Sequence, residues 1–201
     1  MRLESLAMTP RPRRTSDGDI LMAAFRVIAR RGPHRLTLAD VAREAGLTAG
    51  ALVQRFGSKR ALLVAAAADA AGGHAYIFPA LRQRHRSPRA ALLGLAECMA
   101  MMGETPEQVA HSLAFLQMDL TDPEFHALAV GRSRGMQAGL RALVDDAIAA
   151  GELVPCDARG LGRALESILI GSMLAWTLHR EGTLARWLRR DLRTLIAPYE
   201  A

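Results

Sequence analysis

The stretch GLTAGALVQRFGSKRALL, residues 46–63, places small side chains and a few polar ones at a spacing suited to contacts with DNA. Thr48 stands where its hydroxyl can cap a short helix. The small residues at 49–51 would let the helix backbone approach the bases, and threonine and alanine methyls can touch thymine methyls. Gln54 has bidentate potential towards adenine. These residue types predict a surface that reads the major groove.

Catalytic or metal chemistry is not favoured by the remaining polar residues. Four side chains are candidates for an enzyme: Glu97, Cys98, His111 and Asp119. No spacing brings a nucleophile, a base and an orienting group together among them. Four histidines are too scattered to indicate a metal site: His74, His111, His126 and His179. Cys98 and Cys156 have neither disulfide nor zinc spacing. We expect no catalytic site, no cofactor and no metal.

The charge distribution supports a polyanion-binding end. Residues 1–60 hold 12 Arg or Lys against 5 Asp or Glu, whereas residues 61–201 hold 14 against 15. All the excess positive charge of this +6 chain therefore lies in the first 60 residues. Two alternatives to nucleic-acid binding stay open: a solvated basic face, and an adaptor whose basic head binds an acidic protein.

The pattern of apolar residues predicts an all-α fold, because a helical period appears in nearly every segment. Four short polar residues mark the starts of the first four helices: Ser16, Thr37, Thr48 and Ser58. The stops are RGP at 31–33, then Gly46 and Gly57, and the fourth helix runs towards Gly72 and beyond. Five longer helices follow, giving about nine in all: 88–102, 106–118, 123–150, 158–180 and 184–196.

Two helices of about eight residues, joined by a glycine-containing turn and preceded by a third, describe a helix-turn-helix. We therefore divide the chain into a flexible basic arm (1–15), a helix-turn-helix DNA-binding domain (16–60) and a larger helical domain (61–201). Three arginines of the arm could enter a minor groove or be disordered: Arg11, Arg13 and Arg14.

Residues 37–63, TLADVAREAGLTAGALVQRFGSKRALL, resemble the helix-turn-helix signature of the TetR (tetracycline-repressor-like) family of bacterial transcriptional regulators. The resemblance includes the Phe-x-Ser-Lys step into the fourth helix. It implies a homodimeric regulator that binds a palindromic operator in double-stranded DNA. It also implies a C-terminal helical domain that dimerises and binds a small effector, whose binding would release a repressor from DNA.

Carried over by position, the resemblance implies that Thr37 caps the second helix and bonds a phosphate, and that Lys59 meets a phosphate. The family commonly has Tyr where this chain has Val53, so Gln54 and Arg55 are expected to compensate, Arg55 towards phosphate. The predicted DNA-binding residues are Thr37, Thr48, Ala49, Gly50, Ala51, Val53, Gln54, Arg55 and Lys59.

The sequence signals in the C-terminal domain are weaker. Flexible methionines and aromatic residues are candidates for a pocket that takes a small apolar or amphipathic effector, although such residues also build ordinary cores: Met99, Met102, Phe115, Met118, Met136 and Trp176. A small-residue stripe on helix 158–180 and one tryptophan are candidates for the dimer interface or for packing within the chain: Ala164, Ser167, Gly171, Ala175 and Trp187.

Targeting signals are not evident. The N-terminal residues lack the apolar core of a signal peptide, and we expect no apolar run to approach the roughly 20 residues that span a bilayer. The sequence therefore predicts a soluble, cytoplasmic protein with no membrane partner.

Overall fold

The computed structural model describes residues 15–201. Of the predicted arm only Thr15 is among them, so Arg11, Arg13 and Arg14 lie outside the described residues. Eleven α-helices and a short 3₁₀-helix, Ala197–Tyr199, make up this part of the chain: α1 (Asp17–Arg35), α2 (Leu38–Glu44), α3 (Ala49–Phe56), α4 (Lys59–Gly72), α5 (His74–Arg84), α6 (Pro88–Ala100), α7 (Pro106–Leu113), α8 (Phe115–Thr121), α9 (Pro123–Ala149), α10 (Ala158–His179) and α11 (Leu184–Ile196).

The all-α fold is as predicted, and two of the nine predicted helices are each divided in two. The fourth divides into α4 and α5 at Gly73, beside Gly72, where two residues of low helix propensity adjoin. The helix predicted over 106–118 divides into α7 and α8 at Ala114 and runs on to Thr121. Nothing in the local sequence marks the division at Ala114.

The predicted start signals act as N-caps. Ser16 and Asp19 form a capping box, in which each side chain accepts a hydrogen bond from the other residue's backbone N–H. Three hydroxyls accept from the N–H three residues ahead, at 3.1 or 3.2 Å: Thr37, Thr48 and Ser58. Gly46 and Gly57, both with positive φ, stand at the predicted stops. The stop predicted at 31–33 is instead a kink: Gly32, also with positive φ, interrupts the helical geometry, and α1 runs on to Arg35. Capping contacts between residues three positions apart, together with these glycines, therefore set the helix boundaries in the N-terminal part of the chain.

Two hydrophobic clusters form the interior. The first, which we call the head cluster, gathers buried side chains of α1–α4 such as Ile20, Leu52 and Leu62. The second, the body cluster, gathers buried side chains of α5–α7 and α9–α11 such as Leu140, Leu165 and Leu188. We refer to α1–α4 as the head and to α5–α11 as the body.

One residue of the body is buried in the head. Phe125, in the first turn of α9, is fully buried in the head cluster. Phe115 of α8 lies against it with ring centroids 6.2 Å apart, and the guanidinium of Arg60 lies 5.4 Å from its ring centre. The corner between α8 and α9 therefore completes the hydrophobic core of the head.

The segment Lys59–Arg84 corrects the expectation about apolar runs. It is 26 residues long, and an 18-residue window within it has a mean hydropathy of 1.4, so it meets the length and composition of a membrane span. The alanine-rich sequence raises the hydropathy although Asp69 lies within it. In this structure the segment forms the pair α4 and α5, whose buried residues Leu62 and Phe78 pack into the head and body clusters.

Replacing Phe125 by alanine should lower the free energy of unfolding by about 3 to 5 kcal/mol, because a fully buried aromatic side chain would leave a cavity. Urea unfolding followed by circular dichroism measures this change. The matched control is Leu120→Ala on α8, whose side chain is 77% exposed and whose loss should cost less than about 0.5 kcal/mol. A cost below about 1 kcal/mol for Phe125→Ala would contradict its role in the head cluster.

Candidate nucleic-acid interface

Helices α2 and α3 form the helix-turn-helix, with Gly46 in the left-handed conformation at the turn (φ 69°). Leu52 is fully buried and fixes α3 to the head cluster, and Leu47 and Phe56 pack against the same cluster on either side. Burial of one face leaves the opposite face of α3 at the surface. The apolar spacing in the sequence therefore determines which side of α3 is available to a partner.

The exposed face carries most of the side chains predicted to face DNA. Thr48, Ala49 and Gly50 are exposed at the start of α3, and Ala51 is half-buried. Val53 and Gln54 are exposed one turn further on. Gly50 faces open space, since a Cβ atom added there would meet no atom within 4 Å. The structure thus leaves five of these six residues exposed along the first two turns of α3, with open space beside Gly50.

The three side chains predicted to contact phosphate each have a hydrogen-bond or ion-pair partner within the chain. Arg55 forms an ion pair with Asp17, and Nζ of Lys59 donates to the carbonyl of His34 at 2.6 Å. The hydroxyl of Thr37 donates to the carboxylate of Asp40 at 2.7 Å. Lys59 therefore joins the start of α4 to the end of α1, a structural role that the sequence did not reveal.

Hydrogen bonds and ion pairs favour the charged state of two acidic residues of the head, Glu44 and Asp40. Arg26 donates to Glu44 at 2.6 Å and Arg30 also pairs with Glu44, and both hydrogen bonds lower the pKa of that carboxyl. The hydroxyl of Thr37 and the charges of two arginines lower the pKa of Asp40. The charges of Glu44 and Asp40 are thus balanced by arginines of the same surface.

Arg60, at the start of α4, links the head to the body. Its guanidinium donates to both carboxylate oxygens of Asp122, at 2.6 and 3.0 Å, and to Glu124 at 2.8 Å. These hydrogen bonds raise the pKa of Arg60 and lower the pKa of Asp122 from 3.8 to about 2. Local sequence patterns do not reveal this contact, because 62 residues separate its partners.

The residues predicted to line an effector pocket fall into different parts of the interior. Met99 and Met136 pack against the body cluster, in which Trp176 is buried. Phe115 and Met118 pack against the head cluster. Met102 lies at the surface. The structure therefore distributes these six residues over the body cluster, the head cluster and the surface.

The residues predicted for the dimer interface lie on or beside the outer face of α10. Ser167 and Gly171 are exposed, and Ala164 and Ala175 are half-buried. Trp187 of α11 is also half-buried and stacks on His179, with ring centroids 5.6 Å apart. Sequence reasoning missed three large apolar residues exposed on the same helix: Ile170, Leu174 and Leu178. Their spacing of four residues, next to Ser167 and Gly171, is the signal that could have identified them.

The side chains considered for catalysis take part in separate local contacts. Glu97 pairs with Arg189, and Asp119 pairs with Arg132. Nδ1 of His111 lies 3.0 Å from the carbonyl of Ala29. These contacts hold helices together and do not converge on a common site.

Comparisons with known proteins agree with this geometry. The family model for bacterial regulatory proteins of the tetR family matches residues 20–66. A TetR transcription regulator from Haloarcula marismortui superposes with a TM-score of 0.73 at 17% identity, over 92% of this chain and 98% of that chain. A TetR family regulator from Agrobacterium tumefaciens gives 0.71 at 19% identity, over 92% and 97%. The regulator FadR from Bacillus subtilis, in complex with stearoyl-CoA, gives 0.68 at 16% identity, over 90% and 98%. A search of curated proteins gave no match.

The fold and the exposed helix α3 define a helix-turn-helix protein that has the fold of known transcriptional regulators. More particularly, residues 20–66 match the DNA-binding domain of bacterial regulatory proteins of the tetR family, and the chain has the fold of TetR regulators over nine-tenths of its length. Members of this family are transcriptional regulators and not enzymes.

The pairing of Asp122 with Arg60 should make the stability of the protein depend on acid pH. Because the folded pKa of Asp122 lies below the unfolded value, its stabilising contribution is present above about pH 4 and is lost as the pH falls towards about 2. The wild-type protein should therefore be more stable than Asp122→Asn at pH 6, and this advantage should shrink between pH 4 and pH 2. Asparagine keeps the N-cap of α9, so the variant removes mainly the charge.

Urea unfolding across this pH range measures the difference between the two proteins. The control is Asp145→Asn on the same helix, which breaks an exposed pair with Arg141 and should change stability little at each pH. If the difference in the free energy of unfolding between wild type and Asp122→Asn stayed constant across this pH range, the result would contradict the charge pairing of Asp122 with Arg60.

Proposed function

We propose that the chain is a homodimeric, sequence-specific regulator that binds double-stranded DNA in the cytoplasm and represses transcription until a small effector binds its body. The observation that carries this proposal is the exposed N-terminal end of α3, small in its side chains and fixed from behind by the buried Leu52. A recognition helix enters the major groove with its N-terminal residues towards the bases.

Base reading would come from few side chains. Thr48 has a hydroxyl and a methyl group near the helix start, and Gln54 can make a bidentate contact with adenine. Ala49 and Gly50 would permit close approach, with methyl contact from Ala49. Phosphate contacts from Thr37, Arg55 and Lys59 remain predictions, and each would require a shift of the intramolecular contacts that these side chains make.

Dimerisation is supported by the unpartnered apolar face of α10. Leu174 and Leu178 are 54% and 74% exposed, and Ile170 lies one turn before Leu174. Burying a leucine side chain contributes about 1.5 to 3 kcal/mol, so this face is costly to leave in water. Ser167 and Gly171 beside it would let a second α10 approach closely. A second copy of this chain related by a two-fold axis would cover the face and pair the two recognition helices for a palindrome.

The effector would act through the α8–α9 corner. A small apolar or amphipathic molecule that enters the body among Met99, Met136 and Trp176 would displace α9, since these residues pack in the cluster to which α9 belongs. The same helix begins with the residues that hold the head, Phe125 and Asp122. The complex of FadR with stearoyl-CoA supports an amphipathic effector by analogy. For release, the effector must bind the DNA-incompetent state more tightly, and a hundredfold preference corresponds to about 2.7 kcal/mol.

The first test is selection of DNA from a random duplex library with the purified chain, followed by binding measured as fluorescence anisotropy at several salt concentrations. We expect a palindromic site and an affinity that falls steeply with salt. Gln54→Ala should lose about 1 to 3 kcal/mol of discrimination at one base pair of each half-site. Gln83→Ala, on the exposed part of α5, is the matched control and should leave binding unchanged. Absence of salt-sensitive, sequence-specific binding would refute the proposal.

The second test concerns the dimer. Leu174→Asp would place two carboxylates near the two-fold axis and should weaken self-association roughly 100-fold, because each charge would be buried without a partner. Sedimentation equilibrium measures the dissociation constant. The control Leu120→Asp adds the same charge at a residue of α8 that is 77% exposed, and its association should match that of the wild type. A Leu174→Asp protein that associates as tightly as the wild type would rule out this face as the interface.

A further inference from the structure

One face of α9 changes from fully buried to partly buried and back again along its length. Residues three or four apart form this inward face: Phe125, Ala129, Arg132, Met136, Leu140, Leu143 and Ala147. The first of them is fully buried in the head cluster and the last three in the body cluster. The three between them are only partly buried. The inward face of α9 therefore crosses a less tightly closed zone between the two clusters, which we call the middle zone.

A buried carboxylate borders the middle zone. Asp119 of α8 accepts a hydrogen bond from Arg132 at its Oδ2 atom. Its Oδ1 atom is buried and has no hydrogen-bond partner in the part of the chain that the structure describes. The ring of His126 lies 3.1 Å from the backbone carbonyl of Asp119, not from its carboxylate. A buried charged oxygen without a donor is costly, so a donor placed at Oδ1 would be stabilising.

A second carboxylate approaches the same turn of α9 from α10. Oε2 of Glu166 accepts from the hydroxyl of Ser133 at 3.1 Å and from Nε2 of Gln137 at 2.7 Å. Both donors are neutral, and within the described region no cationic side chain forms an ion pair with Glu166. Ser133 adjoins Arg132 in the sequence, so the two carboxylates flank one turn of α9.

The ionised side chains around this turn carry a net negative charge. Asp119 and Glu166 contribute two negative charges and Arg132 one positive charge. The side chain of Arg132 is 32% exposed and so is partly solvated, whereas that of Asp119 is 4% exposed. One unbalanced negative charge in a partly closed site favours a ligand with one positive charge. An anion would instead compete for Arg132 and leave the buried carboxylate of Asp119 unpaired.

We propose that Asp119 and Glu166 form the polar end of the effector site and that the effector is an amphipathic amine. Its ammonium group donates to Oδ1 of Asp119, and its apolar part lies along Ala129 and Met136. This inference rests on the proposed function and names the chemical class of its effector. An ammonium group supplies both properties that the site lacks, a positive charge and N–H donors.

The position of the site gives the amine a route to the head. Asp119 lies in the last turn of α8, three residues before Asp122, whose carboxylate holds Arg60. An ammonium group that draws Asp119 away from Arg132 would move the end of α8 relative to α9. The charged contacts at the junction of head and body begin at that point, so they would be disturbed directly.

Three probes with one tail and different head groups test the class of the effector: octylamine, which is protonated at neutral pH, octanoate and octanol. Isothermal titration calorimetry with the full-length chain, without DNA, measures the dissociation constant of each. Octylammonium should bind at least about tenfold more tightly than either of the others, because hydrogen bonds between charged groups are the stronger ones. This ranking is measured on the wild-type protein and does not depend on the folding of any variant.

Asp119→Asn tests the assigned contact. The amide keeps an oxygen for Arg132 but loses the charge, so the affinity for octylammonium should fall at least about tenfold while octanol binds as before. Glu166→Gln should lower only the affinity for octylammonium, by roughly threefold, because this carboxylate is less buried. The matched control is Asp145→Asn, which removes the same charge from an exposed residue of α9 and should bind all three probes like the wild type. Circular dichroism checks that each variant is folded.

Three results would overturn the inference. The first is octanoate binding as tightly as octylammonium, as expected if Arg132 is the contact for the ligand. The second is an equal loss of octylammonium and octanol in Asp119→Asn, as expected if the substitution only loosens the fold. The third is no binding of any of the three probes.

Adding octylamine to the complex with the selected duplex separates this inference from the proposed function. If octylammonium binds with the expected ranking but does not release DNA, the amine site stands and the effector-driven release is contradicted. If the chain binds its duplex but none of the probes, only the inference about the amine is contradicted.

Discussion

The burial of Phe125 in the head cluster is the interaction that fixes the longest helix of the body to the core of the head. The residue belongs to α9, the longest helix of the body, yet its ring is enclosed by the side chains of α1–α4. Arg60 covers that ring and pairs with Asp122 and Glu124, so apolar and ionic contacts coincide at one corner. A displacement of α9 along its axis would disturb both at once. The head is therefore coupled to the body through a packed core and a charged clamp, not through a flexible linker.

Short-range signals in the sequence predicted the helix-turn-helix well. The caps at Ser16, Thr37, Thr48 and Ser58 bond to backbone or side-chain groups three residues away, and Gly46 and Gly57 adopt the backbone conformation that few other residues tolerate. Apolar spacing likewise identified Leu52 as the buried anchor of α3. Such features depend only on neighbouring residues, so one sequence is enough to reveal them.

Contacts between distant residues could not be predicted in the same way. Lys59 and Arg55 look like free cations in the sequence, whereas the fold brings His34, Thr15 and Asp17 within their reach. The candidate effector residues share a chemistry but not a location, because methionine and phenylalanine fill the head and body clusters equally well. The small residues of α10 predict a contact face in the sequence, whereas its large exposed residues Ile170, Leu174 and Leu178 were not identified. An apolar residue looks the same in a sequence whether it lies in the core of its own chain or at the surface.

The exposed end of α3 also has an entropic consequence. Thr48, Ala49, Gly50 and Ala51 have between them few side-chain rotamers, and the helix that carries them is already fixed by its cap and by Leu52. A surface of this kind loses little conformational freedom when a partner covers it, whereas lysine or arginine side chains would each have to be ordered. Helix α3 is therefore ordered before any encounter, and in the proposed complex with DNA the entropy lost on binding would fall mainly on the long cationic side chains around it.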